Sequence, residues 1–439
     1  MMSDDFRMQA SAARYGWYVV GLCMLAYVLS FVDRQILSLL IKPIKIDLGI
    51  SDTQFGVLSG FAFALFYALM GIPLAGLSDR FSRPKIIAFG IAFWSGATML
   101  CGFAGSFEMM FLARICVGAG EAALSPATYS LIGDLFPKDK LGKATAIYSL
   151  GSFIGAGVAL LLGGAIVAMV GEGSTSFIEG VRPWQAIFLI VGVPGLPLAL
   201  VVLATIRDPR SSAKPLAAAA SPSFGDVIRF LWARRAIFGP HFLGYSATAM
   251  ALFSLFAWAP AYLMRTFLLT PAQSGLALGS IIMIAGGGGV LSSGMIMDRL
   301  TRAGRTDAPF RTGLIGAAGM LLPILLLPLA HDAGTSFVIL AFAIFFGSFP
   351  MPPSTATMQI VAPPQMRARV SAIFLCFNSL LGLGLGAFLV GLLNDSLFTG
   401  ADGIGASITL VVSGATALAM LLLALGKAPM RRFIADSAH

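Results

Sequence analysis

Arg114 and Glu121 stand seven residues apart in RICVGAGE, a stretch otherwise made of small and apolar residues. A helix turns about 100° per residue, so positions seven apart return to nearly one face, about 10 Å further along the axis. The two side chains therefore point the same way, two turns apart. A second pair, Asp33-Arg34, interrupts the apolar run YVLSFVDRQIL. An ionised side chain at the centre of a membrane helix costs roughly 2.5–3.5 kcal/mol on insertion scales. Such groups persist where they pair, line a wet cavity, or carry ions and substrate. Neighbours on a helix diverge by about 100°, so Asp33 and Arg34 cannot face one spot. Either they neutralise each other locally, or one of them meets Arg114 or Glu121 across a bundle. These four deep charges sum to zero and all lie in the first third of the chain, so one shared cluster is the simplest arrangement. The chemistry this allows is proton and anion handling. A carboxylate in a low-dielectric cavity favours its protonated form. A nearby arginine opposes that, and an anionic substrate bound to the arginine would lift the opposition.

The elements that must hold these groups are membrane helices. Of 439 residues, 57% are apolar and 11% charged, against about 25% charged in soluble proteins, and the mean hydropathy is +0.88. Apolar runs of about 20 residues, each long enough to cross a bilayer, recur from end to end. Twelve spans are expected, at 16–41, 53–77, 86–105, 107–135, 142–170, 184–206, 237–264, 272–297, 312–330, 335–362, 368–394 and 404–426. The fold class is thus an all-α membrane protein. Of its 29 Lys and Arg, 23 fall on one side of these spans and 4 on the other. The positive-inside rule then puts both termini in the cytoplasm. The net charge of +9 is a topology signal and calls for no nucleic-acid partner. The polar, acidic start MMSDDFRMQA does not read as a cleavable signal peptide. Cys23, Cys101, Cys116 and Cys376 sit in apolar runs and read as packing. With three His, no metal-ligand spacing and no Walker A loop or catalytic set, neither an enzyme, a metal site nor a cofactor is expected.

The chain repeats itself. Asp79-Arg80 recurs as Asp298-Arg299. PATYSLIGDLFPKDKLGKATAI at 126–147 lies over PPSTATMQIVAPPQMRARVSAI at 352–373, with Pro126 on Pro352 and Pro137 on Pro363. Two copies of a six-span unit follow: 1–206, then a cytoplasmic linker at 207–236, then 237–439. Repeated halves with substrate bound between them are usual in secondary transporters. The halves are unequal, because Arg114 and Glu121 align with Leu340 and Gly347. No ionisable group is expected deep in the second half. It offers Tyr245, Trp258, Phe345, Phe346, Gln359 and Asn378 as neutral groups, of which Tyr245, Trp258, Gln359 and Asn378 are the cavity candidates. In the linker, SFGDVIRFLWARR reads as a short amphipathic helix on the membrane surface. Gly286 to Gly289 suggest a packing or hinge role in span eight. The prolines of FPMPPS, 349–354, should interrupt span ten.

GLSDRFSRPK, 76–85, resembles the loop motif between spans two and three of the major facilitator superfamily, with Gly76, Asp79, Arg80 and Arg83 matching and Ser82 and Pro84 departing. The resemblance implies two six-helix bundles. It also implies a latch in which Asp79 meets the start of span eleven, near Arg367 and Arg369, with Asp298 and Arg299 as its repeat, and Gly76 allowing close helix approach. FVDRQIL, together with RICVGAGEAALSPATYSLIGDLFP, resembles the Spinster branch of that superfamily. That implies movement of lysophospholipid or sphingoid-type lipids, with Asp33, Arg34, Arg114 and Glu121 as the functional charges. A Gly-Pro motif frequent in antiporters is not matched, since Gly151 to Gly157 lacks the proline.

The leading expectation is a secondary carrier of an amphiphilic, anionic-headed molecule, coupled to protons, monomeric, in a bacterial inner membrane. The alternatives are a facilitator in which the charges are a structural lock, a carrier of small organic anions or drugs, and, more remotely, a non-transporting sensor or scaffold.

Overall fold

Long apolar runs with few polar interruptions can satisfy their backbone only as helices when water is absent. The structure, a computed structural model, describes residues 2–170, 180–209, 223–363, 365–400 and 403–437; the side chains of 2–13, 72, 75, 78–80, 138, 139, 142, 170, 368 and 437 lie outside the description. Among the described residues, eleven helical stretches are long and apolar enough to cross a membrane: Arg14–Leu39, Asp52–Gly71, Arg83–Cys101, Lys143–Met169, Pro183–Thr205, Arg235–Thr266, Pro271–Arg302, Ala308–Leu329, Ala333–Val361, Arg369–Ser396 and Gly403–Asp436. The remaining expected span, the fourth, is divided into Phe107–Glu121 and Leu124–Leu135, neither of which reaches that length alone. Spans are numbered below in chain order, with this one as span four.

The repeat is visible in three dimensions. Phe107–Glu121 and Ala333–Gly347 are both 15 residues long and lie 226 positions apart. Ser106 caps the first by accepting from the Met109 amide, and Asp332 caps the second by accepting from the Thr335 amide, satisfying amides that a helix start leaves without partners. Each helix then breaks at the same place, at Ala122-Ala123 in span four and at Ser348–Pro350 in span ten, before Leu124–Leu135 and Met351–Val361 resume. Proline explains the second break, as its sequence suggested.

The two bundles meet along spans two and eleven and along spans five and eight. Glycines bring these helices to backbone contact, as small residues do in membrane interfaces. A Cβ on Gly56 or on Gly60 would lie 2.6 Å from the carbonyl oxygen of Ala387 or Gly384. In the other seam Gly157 lies against Gly279, and Gly275 against Leu160. The run of four glycines begins at the last residue of a π-helical turn, Ile282–Gly286. Gly286 packs on Phe153 and Gly289 on Phe345, while Gly287 faces open space, so two of the four have a packing role.

Span twelve runs to Ser437 rather than stopping at 426. The apolar run ends at Lys427, but the helix continues with its polar turns outside, and Arg431 comes within 3.6 Å of the buried Asp307. The residues 210–222 of the linker lie outside the description. Phe224–Ala233 forms a helix with a Ser223/Asp226 capping box. Val227 is buried among Phe238 and Phe242, whereas Phe224, Ile228 and Trp232 form an exposed stripe at four-residue spacing.

Candidate functional site

Glu121 is the last residue before the break in span four, where its side chain projects toward span one. Arg34 Nε donates to Glu121 Oε2 at 2.6 Å, and Arg34 Nη2 pairs with the same oxygen. Glu121 Oε1 is buried and accepts no hydrogen bond. The Arg34 guanidinium lies 4.3 Å from the centre of the Phe63 ring, 4.8 Å from Phe31 and 5.1 Å from Tyr67. Three aromatic faces thus hold the charge that one carboxylate oxygen neutralises.

Arg114 behaves differently. Its Nη1 donates to the backbone carbonyl of Asp33 at 3.1 Å and its Nε to that of Leu58 at 3.4 Å. Among the described residues it makes no ion pair within 4.0 Å, and neither does the Asp33 carboxylate, which is itself buried. The single four-charge cluster is therefore resolved into one ion pair, Arg34–Glu121, and a guanidinium held by carbonyls. The local Asp33–Arg34 pair does not form, because adjacent positions on a helix diverge. Asp33 is buried within the first bundle, whereas Arg34 reaches Glu121 at the cavity between the bundles.

Arg34 and Arg114 line a cavity between the bundles with Gln35, Ser38 and Ser59. Phe253 and Leu383 supply the facing wall from the second bundle. Gln35 spans the gap, donating to the Phe256 carbonyl at 3.4 Å. The cavity measures about 20 Å³, close to the minimum for one water. A guest larger than that needs the bundles to part.

Sequence reasoning missed Gln35 and Ser38. Their spacing from Phe31 and Arg34 puts all four on one face of span one, which was a usable signal. Of the second-half candidates, Tyr245 donates to the Pro309 carbonyl at 2.9 Å and Trp258 to that of Ala387 at 2.9 Å, both inside protein packing. Gln359 is exposed and Asn378 half-buried. None of the four lines the cavity: the polar atoms of the first two are used in helix contacts and the other two stand apart from it. The second half also buries an ionisable group that was not expected. His241 on span seven has no exposure, and its Nε2 donates to the Ser354 carbonyl at 2.8 Å within a ring of Phe238, Phe242, Tyr245 and Phe374.

The latch residues divide. The side chains of Asp79 and Arg80 lie outside the described residues; the helix carrying them packs against Arg367–Phe377. Gly76 is exposed, and a Cβ there would meet nothing within 4 Å, so it serves no close helix approach in this conformation. Asp298 and Arg299 are exposed. Arg83 is fully buried and works inside the first bundle: it donates to Asp134 at 2.6 Å and to the Ser130 carbonyl at 2.9 Å, and pairs with Asp208. It ties the ends of spans three, four and six together.

The model of the Major Facilitator Superfamily matches residues 23–387. The chain is a member of the major facilitator superfamily. Members of this superfamily are transporters rather than enzymes, and this one is a multi-pass membrane protein. It is 31% identical over 433 residues to an "MFS-type efflux pump" of Mycolicibacterium smegmatis, covering 97% of this chain and 96% of that one. It is 28% identical to the human "Protein spinster homolog 1", over 88% of this chain and 74% of the relative. It is 26% identical to the "Probable L-galactonate transporter" of Escherichia coli, over 80% and 77%. In fold it is similar to a bacterial homologue of the human lysosomal transporter Spinster, with TM-score 0.81, 24% identity and coverage of 96% and 98%.

Proposed function

We propose that this superfamily member is a proton-coupled secondary carrier of an amphiphilic anion, of the lysophospholipid or sphingoid type, in a bacterial inner membrane with both termini cytoplasmic. The observation that carries the reading is the Arg34–Glu121 pair at the wall of a cavity that is polar on one bundle and apolar on the other. An anionic head that draws Arg34 away leaves Glu121 buried and unpaired. An unpaired buried charge is costly, and a proton on the carboxylate removes it. Anion and proton then load together, and neither alone leaves the site neutral. Arg114, held only by carbonyls, is a second cation for the same head. Phe253 and Leu383 receive the apolar part. Residues 33, 34, 114 and 121 are thus the coupling set, with the protein acting as a monomer.

The Spinster relatives support a lipid substrate. The small cavity and the L-galactonate relative support a second reading, a small hydrophilic organic acid held by Arg34, Arg114, Gln35, Ser38 and Ser59. Flux in proteoliposomes separates the two. Under the lipid reading, lysolipid uptake rises with an imposed pH gradient and Glu121→Gln abolishes that rise. Competition by a soluble sugar acid but not by lysolipid would replace the first reading by the second. Flux that ignores the gradient would remove the proton coupling from both.

A further inference from the structure

At the end of the molecule remote from both chain termini, two carboxylates, Asp52 and Asp395, join the two bundles. Asp52 begins span two and is nearly buried. Its oxygens accept from Arg265 Nη1 at 2.5 Å and Nη2 at 2.8 Å, from Asn394 Nδ2 at 3.1 Å, and from Lys45. Arg265 ends span seven and Asn394 lies near the end of span eleven, so both donors belong to the second bundle. The contact is reciprocal. Asp395, also of the second bundle, accepts from the Thr53 amide at 2.7 Å, the Thr53 hydroxyl at 2.6 Å and the Asp52 amide at 3.2 Å. A helix start leaves amides free and favours an anion. Here the anion that serves span two comes from the other bundle. Below this layer Phe55 of span two meets Trp258 of span seven edge to face at 5.6 Å. Gly391 lies on the Asp52 carbonyl, where a Cβ has no room.

We propose that Asp52, Arg265, Asn394 and Asp395 are positioning residues of the transport cycle: together they form a clasp that holds this end shut while the cavity exchanges with the opposite side. Three features make it a clasp rather than ordinary surface pairing. Its central carboxylate is saturated by donors from both bundles. Its charges, Asp52 and Asp395 against Lys45 and Arg265, cancel within the closed layer. Its glycine seam fits only when the bundles touch. When they part, the same groups become exposed to water, so the clasp stabilises one state without burying an unpaired charge in the other. It also accounts for two of the four cations on this sparsely charged side of the chain, Lys45 and Arg265.

The test is thiol accessibility in full-length protein reconstituted in liposomes, on a background with the four native cysteines replaced by Ala or Ser. Ser59→Cys places a thiol on the cavity, and a membrane-impermeant maleimide is added to each face separately. From the face remote from the termini, Arg265→Gln and Asp52→Asn should raise the labelling rate by about tenfold or more, a modest outcome for a broken buried pair; the same rate as the parent would overturn the clasp. Thr53→Cys with Asp395→Cys gives a second, independent reading that leaves Asp52 and Arg265 in place. Oxidation should cross-link them, slow Ser59→Cys labelling from that face and stop transport until reduction. Failure to cross-link, or cross-linked protein that still transports, would overturn it. The labelling rates concern access alone, so they hold whichever substrate or coupling ion the carrier uses, and only the transport arm of the cross-link depends on the proposed function.

Discussion

The Arg34–Glu121 pair makes an unequal prediction about its two members. In Arg34→Gln the Glu121 carboxylate remains, with a side chain of 0% exposure, one oxygen already unsatisfied and the other stripped of its donor. Removing one partner of a buried pair in this way costs about 3–5 kcal/mol. In Glu121→Gln the charge left behind is Arg34, whose side chain is 13% exposed and lies over three rings. Cation–π contact and partial hydration retain much of its stabilisation, and a loss of about 1–2 kcal/mol is expected. The double variant has no charge to strand. It should be more stable than Arg34→Gln alone, with a coupling of about 2–3 kcal/mol between the sites. The measurement is a double-mutant cycle of denaturant unfolding in detergent, with size-exclusion profiles to confirm that each variant is folded. Additive losses, or Glu121→Gln as the more damaging single change, would refute the view that burial of the carboxylate is what Arg34 relieves.

Other expectations follow from the same geometry. Arg83→Lys keeps the charge but cannot reach Asp134, Ser130 and Asp208 at once; thermal unfolding should show a loss of about 2–4 kcal/mol, and an unchanged midpoint would mean the clamp is idle. Gly289→Ala drives a methyl into the Phe345 backbone and should destabilise by about 1–3 kcal/mol, whereas Gly76→Ala meets open space and should be neutral or mildly stabilising in the same assay. At the start of span ten the Thr335 hydroxyl and amide hold the Asp332 carboxyl below its usual range. A depressed carboxyl stabilises the folded state above its unfolded value, and that contribution disappears as pH falls through the lower folded value. Protection from hydrogen exchange in the first turn after Asp332, corrected for the intrinsic rate, should therefore fall only below about pH 4, and Asp332→Ala should show the reduced protection at every pH. Replacing Phe224 and Ile228 together by Ser should weaken contact of the linker helix with anionic liposomes, read by depth-dependent quenching of the retained Trp232 in a background where the other tryptophans are Phe.

Much of the architecture was legible because it is written in local pattern. Apolar run length gave the spans, and the prolines of 349–354 gave the break in span ten. The twin break at Ala122 carries no proline and was not anticipated, although the alignment of the halves pointed to it. The four buried charges were found because charge is rare in such a chain. Their pairing was not, since it depends on how each helix is rotated against its neighbours. Asp33 and Arg34 are adjacent in sequence yet face different surroundings, and Arg114 chose carbonyls over its neighbour's carboxylate. Asp52 and Arg265 stand 213 residues apart, each looking like an ordinary loop-end charge, and nothing near either one announces the other. Tyr245 and Trp258 were picked as polar aromatics in the second half; their ring polar atoms are spent on Pro309 and Ala387, a choice that only packing reveals.

The paired breaks of spans four and ten carry a consequence for how such a machine can be altered. The same break is built twice, at equivalent places, yet only one copy bears an ionisable side chain beside it. Break and charge are therefore separable here: the break at Ser348–Pro350 forms beside a bare glycine where its twin carries Glu121. Under the proposed function, a change of cargo or of driving ion would need rewriting only at the charged break, leaving the uncharged one as it is.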